Sequence, residues 1–141
     1  MTMSHMRENR EGFTLIEIMI GITILGILGG LVATNVMGYL KKAKVKATHF
    51  NMIAIKKAIQ DYNMETNQYP EKLRDLIKKP STEIKGWDGP YLTPAEIPND
   101  GFGEPFKYSR TPSGKNPYEL TSYGPKGRGA PKEEWISVWN L

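Results

Sequence analysis

The stretch GFTLIEIMIGITILGILGGLVA, residues 12–33, decides the fold of this chain, because it is a long apolar run in which Glu17 is the single ionisable side chain. The 21 residues from Phe13 to Ala33 would form a helix about 31 Å long, which matches the hydrocarbon core of a bilayer. A secretory signal peptide would have a shorter apolar region and a small-x-small cleavage site, which Leu31 before Ala33 fits poorly. Residues 13–33 are therefore predicted to form a transmembrane helix.

Proline divides the chain into a helical part and a loop-rich part. There is no proline before Pro70, and ten prolines follow between Pro70 and Pro131. Proline interrupts helices and marks turns, so a long helix should precede a domain of loops and short strands. We predict an α+β fold. Its long N-terminal helix spans the membrane over 13–33, continues as an amphipathic stalk over 34–63 and packs on a small three-stranded antiparallel sheet in a globular domain, residues 64–141.

The spacing of apolar residues, with a period of 3.6 in helices and of 2 in strands, predicts which faces of these elements pack. Strands are predicted at 106–109, 118–122 and 135–139, with inward-facing residues Tyr118, Leu120, Ile136 and Val138, and a short helix is predicted at 71–79. The stalk should pack through apolar residues that recur at intervals of three and four: Val36, Leu40, Ala43, Ala47, Phe50, Ala54 and Ala58.

The positive charge of the chain is confined to the stalk. The net charge is +4, yet six lysines lie between Lys41 and Lys57 without an acid, whereas residues 61–141 hold eleven basic and twelve acidic side chains. The lysine run at 41–46 is typical of contact with anionic lipid headgroups. DNA contact is the weaker alternative, because no aromatic residues alternate with these lysines.

The composition excludes several kinds of site. The chain has no cysteine and only two histidines, His5 and His49. A thiol nucleophile, a thiolate metal site and a disulfide are therefore excluded, and little remains for acid–base catalysis. We expect no catalytic residues and no enzyme activity; a membrane-anchored enzyme and a solute-binding module are the disfavoured alternatives.

Glu17 needs a reason to lie in an apolar run. A carboxylate at the centre of a membrane helix costs roughly 2.5 to 3.5 kcal/mol, although less near the N-terminus, where the helix dipole favours negative charge. The side chain could simply reach the interface, or it could accept a positive group from another molecule, such as a new amino terminus made by cleavage between Gly12 and Phe13.

Gly26 and Gly30 have the GxxxG spacing of packed membrane helices, although such a match can arise by chance in so glycine-rich a span.

Residues 12–17, GFTLIE, resemble the class III signal of type IV pilin-like proteins: a short polar leader, here residues 1–12, ends in glycine and is followed by phenylalanine and a glutamate as the fifth mature residue. Residues 87–92, 100–108, 118–124 and Trp139 are similar to the major pseudopilin of the type II secretion system. The resemblance implies a pilin-like fold, cleavage after Gly12 by a prepilin peptidase, and methylation of the Phe13 amine. It also implies that Glu17 pairs with the Phe13 amine of a neighbouring copy.

The same resemblance implies a function. The chain would polymerise with copies of itself as the major subunit of a periplasmic pseudopilus. Its partners would be minor pseudopilins, an inner-membrane assembly platform and secreted protein cargo. It would not bind nucleic acid. It would be stored as a single-pass protein of the bacterial inner membrane with its C-terminal domain in the periplasm, although counting positive charges beside the span favours the opposite orientation. A type IV pilin for surface attachment or DNA uptake, and a minor pseudopilin, are the alternatives.

The loop before the last predicted strand departs from this family. Major pseudopilins hold calcium there with an aspartate-rich stretch, but residues 124–134 of this chain read GPKGRGAPKEE. Calcium requires several oxygen ligands, so we expect no metal. Instead Arg128 or Lys126 is predicted to act as an internal cation that bonds loop carbonyls or Glu133 and Glu134; the alternative is a mobile surface loop.

Overall fold

The computed structural model describes residues 11–141, and its long helix, α1, runs over Leu15–Thr66. Of the predicted leader, residues 1–10 lie outside the described part of the chain. The helix ends at Thr66, three residues beyond the predicted stalk, and the next residue, Asn67, has a left-handed φ of 57°. The Asn67 N–H donates to the Asn63 carbonyl at 2.8 Å, and this is a common way for a helix to terminate.

The chain divides into two compact units at Gly38 and Tyr39. In the described residues of the first unit, the large apolar side chains are exposed, from 86% at Phe13 to 45% at Val36. This part of α1 is long and apolar enough to cross a membrane.

The second unit, Tyr39–Leu141, contains the predicted three-stranded antiparallel sheet. Its strands are β1 (Lys107–Arg110), β2 (Tyr118–Ser122) and β3 (Ile136–Ser137), with β2 in the centre. Tyr108 of β1 lies opposite Leu120 of β2, and Ile136 of β3 lies opposite Ser122. The third strand is shorter than predicted, because a turn in which the Asn140 N–H bonds the Ser137 carbonyl follows it directly.

The face of α1 that packs on the sheet differs from the predicted one. Of the predicted stripe Ala58 alone is buried, and Phe50 is 74% exposed. The predicted stripe is rich in alanine, whereas the observed face carries larger side chains that remove more apolar area from water. The buried positions on α1 are Thr48, Met52, Ile55, Ala58, Ile59 and Tyr62. Leu76, Leu92, Phe106, Tyr118, Leu120 and Val138 complete the core.

The predicted helix at 71–79 is wrong in length, since only a 3-10 turn forms, at Leu73–Leu76. The carbonyl of Asp75 accepts a hydrogen bond from the Trp87 indole N–H at 2.8 Å, and the carbonyl of Leu76 accepts one from the Tyr91 N–H at 2.7 Å. Because the following loop uses these two acceptors, they are not available to extend the turn into an α-helix.

Two neighbouring tyrosines of the sheet differ in how their hydroxyls are satisfied. The Tyr108 hydroxyl donates to the Pro70 carbonyl at 2.6 Å. The Tyr118 hydroxyl is buried with no hydrogen-bond partner in the described part of the chain. Burial, and then the neighbouring Tyr69, raise the pKa of Tyr118 to about 12. Burial also raises the pKa of Tyr108.

We expect Tyr118→Phe to leave the free energy of unfolding unchanged or to raise it by up to about 1 kcal/mol, because the change removes a hydroxyl that has no partner. Tyr108→Phe is the matched variant; it should cost about 1 kcal/mol, since the buried Pro70 carbonyl loses its donor. Urea midpoints of the full chain in detergent would measure both. A larger loss for Tyr118→Phe than for Tyr108→Phe would show that the Tyr118 hydroxyl has an unseen partner.

Candidate functional site

The first turn of α1 is closed by three reciprocal hydrogen bonds between Thr14 and Glu17. The Thr14 backbone N–H donates to Glu17 Oε2 at 2.8 Å, and the Thr14 hydroxyl donates to the same oxygen at 3.1 Å. In return, the Glu17 N–H donates to Thr14 Oγ1 at 3.3 Å. Thr14 is thus the N-cap residue and Glu17 the third helical residue of a capping box, which satisfies two donors at the helix start.

This geometry gives a local reason for the carboxylate in the apolar run. Glu17 lies in the first turn of α1, where the helix dipole stabilises negative charge. Both hydrogen bonds that its carboxylate accepts from Thr14 use Oε2. Oε1 makes no hydrogen bond within residues 11–141, so one oxygen of the carboxylate is available to a group from outside the chain.

The predicted cleavage position lies just before the helix. Gly12 and Phe13 are exposed and precede the first helical residue, Leu15. Phe13, Glu17 and Ile18 line one open pocket on the surface. The structure therefore brings Phe13 and Glu17, the two residues predicted to act in assembly, to the same surface. It leaves the backbone at residues 12 and 13 accessible.

The glycines of the apolar segment present open helix surface. A Cβ atom added at Gly26 or Gly30 would meet no atom within 4 Å. These positions therefore do not serve packing with described residues of the chain. They leave a flat strip on which another helix could approach closely.

A second cluster of polar residues lies at the far end of β2 and centres on Asp100, which is 5% exposed. Asp100 Oδ1 accepts the N–H groups of Phe102 and Glu104, each at 2.9 Å. Asp100 Oδ2 accepts the Ser122 hydroxyl at 2.6 Å, and the Ser122 oxygen in turn accepts the Gly124 N–H at 3.0 Å. A single buried carboxylate therefore joins the 99–104 loop to β2 and to the start of the 124–134 loop.

The 99–104 loop is also fixed to α1, through Gly101, the residue after Asp100. The Gly101 N–H donates to the Thr48 hydroxyl at 2.9 Å. A Cβ atom added at Gly101 would overlap the Lys44 carbonyl oxygen and lie 2.7 Å from its carbon. Glycine is therefore required for this close approach between loop and helix.

Two cations of the 124–134 loop, Lys126 and Arg128, form ion pairs. Lys126 Nζ lies 2.8 Å from Glu134 Oε1, and Arg128 Nε lies 3.0 Å from Glu104 Oε2. Lys126 thus pairs with one of the two acids that the sequence suggested. Arg128 does not; it contacts an acid outside the loop. All four side chains are partly or largely exposed.

These side chains do not fit a calcium ion. Calcium takes six to eight oxygen ligands, with several carboxylates among them. Two cations of the loop, Lys126 and Arg128, already engage Glu134 and Glu104, and the Asp100 carboxylate is occupied by three donors. Nowhere in residues 11–141 do three histidine, cysteine, aspartate or glutamate side chains form a group that could hold a metal.

Sequence reasoning missed two residues that organise these regions. Thr14 was overlooked although Thr-x-x-Glu before an apolar run is a known signal of a capping box. Asp100 lies in Asn99-Asp100-Gly101, a strong turn signal. The turn could be expected from this tripeptide, but the burial of the carboxylate and its bond to Ser122 could not.

Comparisons with known proteins agree over nearly the whole chain. The sequence profile of the type II secretion system protein G family matches residues 35–140, and the prokaryotic N-terminal methylation motif matches residues 7–33. The type II secretion system core protein G of Pseudomonas aeruginosa is 37% identical, covering 95% of this chain and 98% of the relative. That of Aeromonas hydrophila is 32% identical, covering 96% of each chain. The crystal structure of the major pseudopilin from the type 2 secretion system of enterohaemorrhagic Escherichia coli superposes with a TM-score of 0.60 at 25% identity, covering 76% of this chain and 96% of that one.

Proposed function

This chain belongs to the type II secretion system protein G family, and on that premise we propose that it is the major structural subunit of the pseudopilus, polymerising in the periplasm to drive folded proteins through the outer membrane. The observation that carries the proposal is the apolar first part of α1, which is long enough to cross a membrane and whose most apolar stretch has no residue buried within the described part of the chain. An apolar surface of this extent must be covered by lipid or by other chains. A subunit stored in a membrane and then built into a filament meets both conditions in turn.

Location and partners follow from this role. The helix anchors the subunit in the inner membrane before assembly, and the unit Tyr39–Leu141 lies in the periplasm. A prepilin peptidase removes the leader, an inner-membrane platform and minor pseudopilins support polymerisation, and secreted proteins are the cargo. The chain acts as a structural subunit and not as a catalyst.

The geometry at the start of α1 supports a specific role for Glu17. Cleavage after Gly12 converts the Phe13 nitrogen into a charged amine. In a single subunit, Thr14 satisfies Oε2 of Glu17 and leaves Oε1 free of hydrogen bonds within the described chain. The Phe13 amine of a neighbouring copy can bind Oε1 without breaking the capping box, so that two charges buried in the filament satisfy each other.

This contact also sets the form of the assembly. The Phe13 amine of one copy binds the Glu17 carboxylate of the next, so the contact pairs two different groups and can repeat from copy to copy without closing. Such heterologous contacts generate an open helical filament. The exposed glycine strip at Gly26 and Gly30 lets the helices in the filament core pack closely.

Mass spectrometry of the full chain purified from membranes tests the processing step. With the peptidase present, the mature chain should begin at Phe13 and carry one methyl group on its amine; without the peptidase, the leader should remain. Gly12→Val should block cleavage because it places a branched side chain at the cut, whereas Gly129→Ala, at another exposed glycine with open space around it, should be processed normally. An intact leader in membranes that contain active peptidase would contradict the proposal.

A further inference from the structure

The 124–134 loop is closed by contacts within it and by the two residues that flank it, Tyr123 and Trp135. It consists of a 3-10 segment, Gly124–Gly129, that is kinked at Gly127, and a 3-10 turn, Lys132–Glu134. The Trp135 indole N–H donates to the Ala130 carbonyl at 2.9 Å, and the rings of Tyr123 and Trp135 meet edge to face with centroids 5.0 Å apart. The two ends of the loop are therefore held together by an aromatic pair.

The ion pairs of the loop extend this closure to the neighbouring loop. Lys126 joins the first 3-10 turn to the second through Glu134. Arg128 reaches Glu104, whose own N–H is bonded to the buried Asp100 carboxylate. Asp100 also binds Ser122, which accepts the N–H of Gly124 at the start of the loop. The loop is therefore linked to the buried Asp100 carboxylate at two points, through Gly124 and through Arg128.

We propose that Lys126 and Arg128 hold the 124–134 loop in the position that a calcium ion holds in other major pseudopilins, so that this domain folds and stays ordered without the metal. The two side chains supply positive charge at fixed positions, together with hydrogen bonds to carboxylates. A divalent cation brought to the same loop would be repelled by these cations and would find its carboxylate ligands already engaged. The inference concerns folding of the domain and holds whatever the filament does.

The two ways of closing the loop respond differently to solution conditions. A loop that binds calcium becomes more stable as calcium is added and less stable when a chelator removes it, because the ion binds only the folded state. A loop held by exposed ion pairs is indifferent to both, but salt weakens it. The screening length falls from about 10 Å at 0.1 M salt to about 3 Å at 1 M.

The first experiment uses the full chain in detergent micelles and measures its melting temperature together with amide hydrogen exchange in residues 124–134. Calcium chloride and EGTA should give the same melting temperature and the same exchange rates. Raising sodium chloride from 0.1 M to 1 M should speed exchange in the loop and leave the β2 amides unchanged. A melting temperature that rises with calcium and falls with EGTA would overturn the proposal.

The second experiment separates the ion pairs from general charge effects. Arg128→Gln and Glu104→Gln should each speed exchange in the loop by up to about fivefold, the scale of an exposed ion pair. Lys132→Gln removes the same charge from a loop lysine for which no ion pair is seen in residues 11–141, and it should have no effect. Exchanging the charges, with Arg128→Glu and Glu104→Arg together, should restore slow exchange. Equal effects of Arg128→Gln and Lys132→Gln, or no effect of either, would contradict the proposal.

Discussion

Changing Glu17 to glutamine should stop filament assembly and protein export while the domain stays folded and α1 still begins at Leu15. Glutamine can replace glutamate in a capping box, so the bonds with Thr14 persist. The charge that we propose binds the neighbouring Phe13 amine is lost, however, and the amine would be left buried without a partner. The loss of one partner of a buried pair costs about 3 kcal/mol or more, which corresponds to roughly a 100-fold weaker contact between subunits. Yield of sheared filaments and export of a folded exoprotein would measure the effect.

Two further variants separate the charge of Glu17 from its capping role. Glu17→Ala removes both and should fail as completely as Glu17→Gln. Thr14→Ala removes the cap hydroxyl but keeps the carboxylate and the backbone donor; it should cost about 1 kcal/mol in the helix start and reduce assembly only modestly. If Glu17→Gln assembles normally while Glu17→Ala does not, the cap and not the ion pair is what assembly requires.

The N-terminal part of the fold could be predicted because one local pattern decides it. The length and composition of residues 13–33 predicted the apolar helix, and the structure contains it as the first part of α1. The three antiparallel strands also followed from local signals, since each contains aromatic or β-branched residues and turns separate them. These features depend on neighbours in the sequence, which a single sequence displays directly.

The packing face of the stalk could not be predicted as well, because two apolar stripes run along the same helix. Phe50 and Ala54 belong to one stripe, and Met52 and Ile55 belong to the other. Periodicity alone detects both of them. The sheet selects the second stripe, because its larger side chains fill the space against Leu120 and Val138.

Long-range polar contacts were the least predictable part of both sites. Lys126 and Glu134 are close in sequence, and their pairing could be suggested. Arg128 and Glu104 are 24 residues apart, so only the tertiary structure brings them together. Ser122 was correctly placed in β2, yet nothing in its strand pattern indicates that its hydroxyl donates to Asp100.

Replacing Asp100 with alanine should destabilise the domain more than any other single change to an acidic residue outside α1. The variant leaves three donors without an acceptor: the N–H groups of Phe102 and Glu104 and the hydroxyl of Ser122. Ser122 is fully buried, and Phe102 and Glu104 are half-buried. A donor that is shielded from water and left unsatisfied costs about 1 to 3 kcal/mol, so the total should be about 3 kcal/mol or more. For a unit of this size, this lowers the melting temperature by more than about 12 °C. Near-ultraviolet circular dichroism of the full chain in detergent would record the transition.

Asp100→Asn and Asp88→Ala provide the controls for this result. Asparagine keeps one oxygen for the two backbone donors and loses the acceptor for Ser122, so it should cost about 1 to 2 kcal/mol. Asp88 is exposed, and its replacement by alanine should change the free energy of unfolding by less than about 0.5 kcal/mol. The order Asp100→Ala, Asp100→Asn, Asp88→Ala follows from counting lost acceptors. If Asp100→Ala melts within the range of Asp88→Ala, the carboxylate does not hold the loops together, and the connection from Arg128 through Glu104 to β2 has no buried anchor.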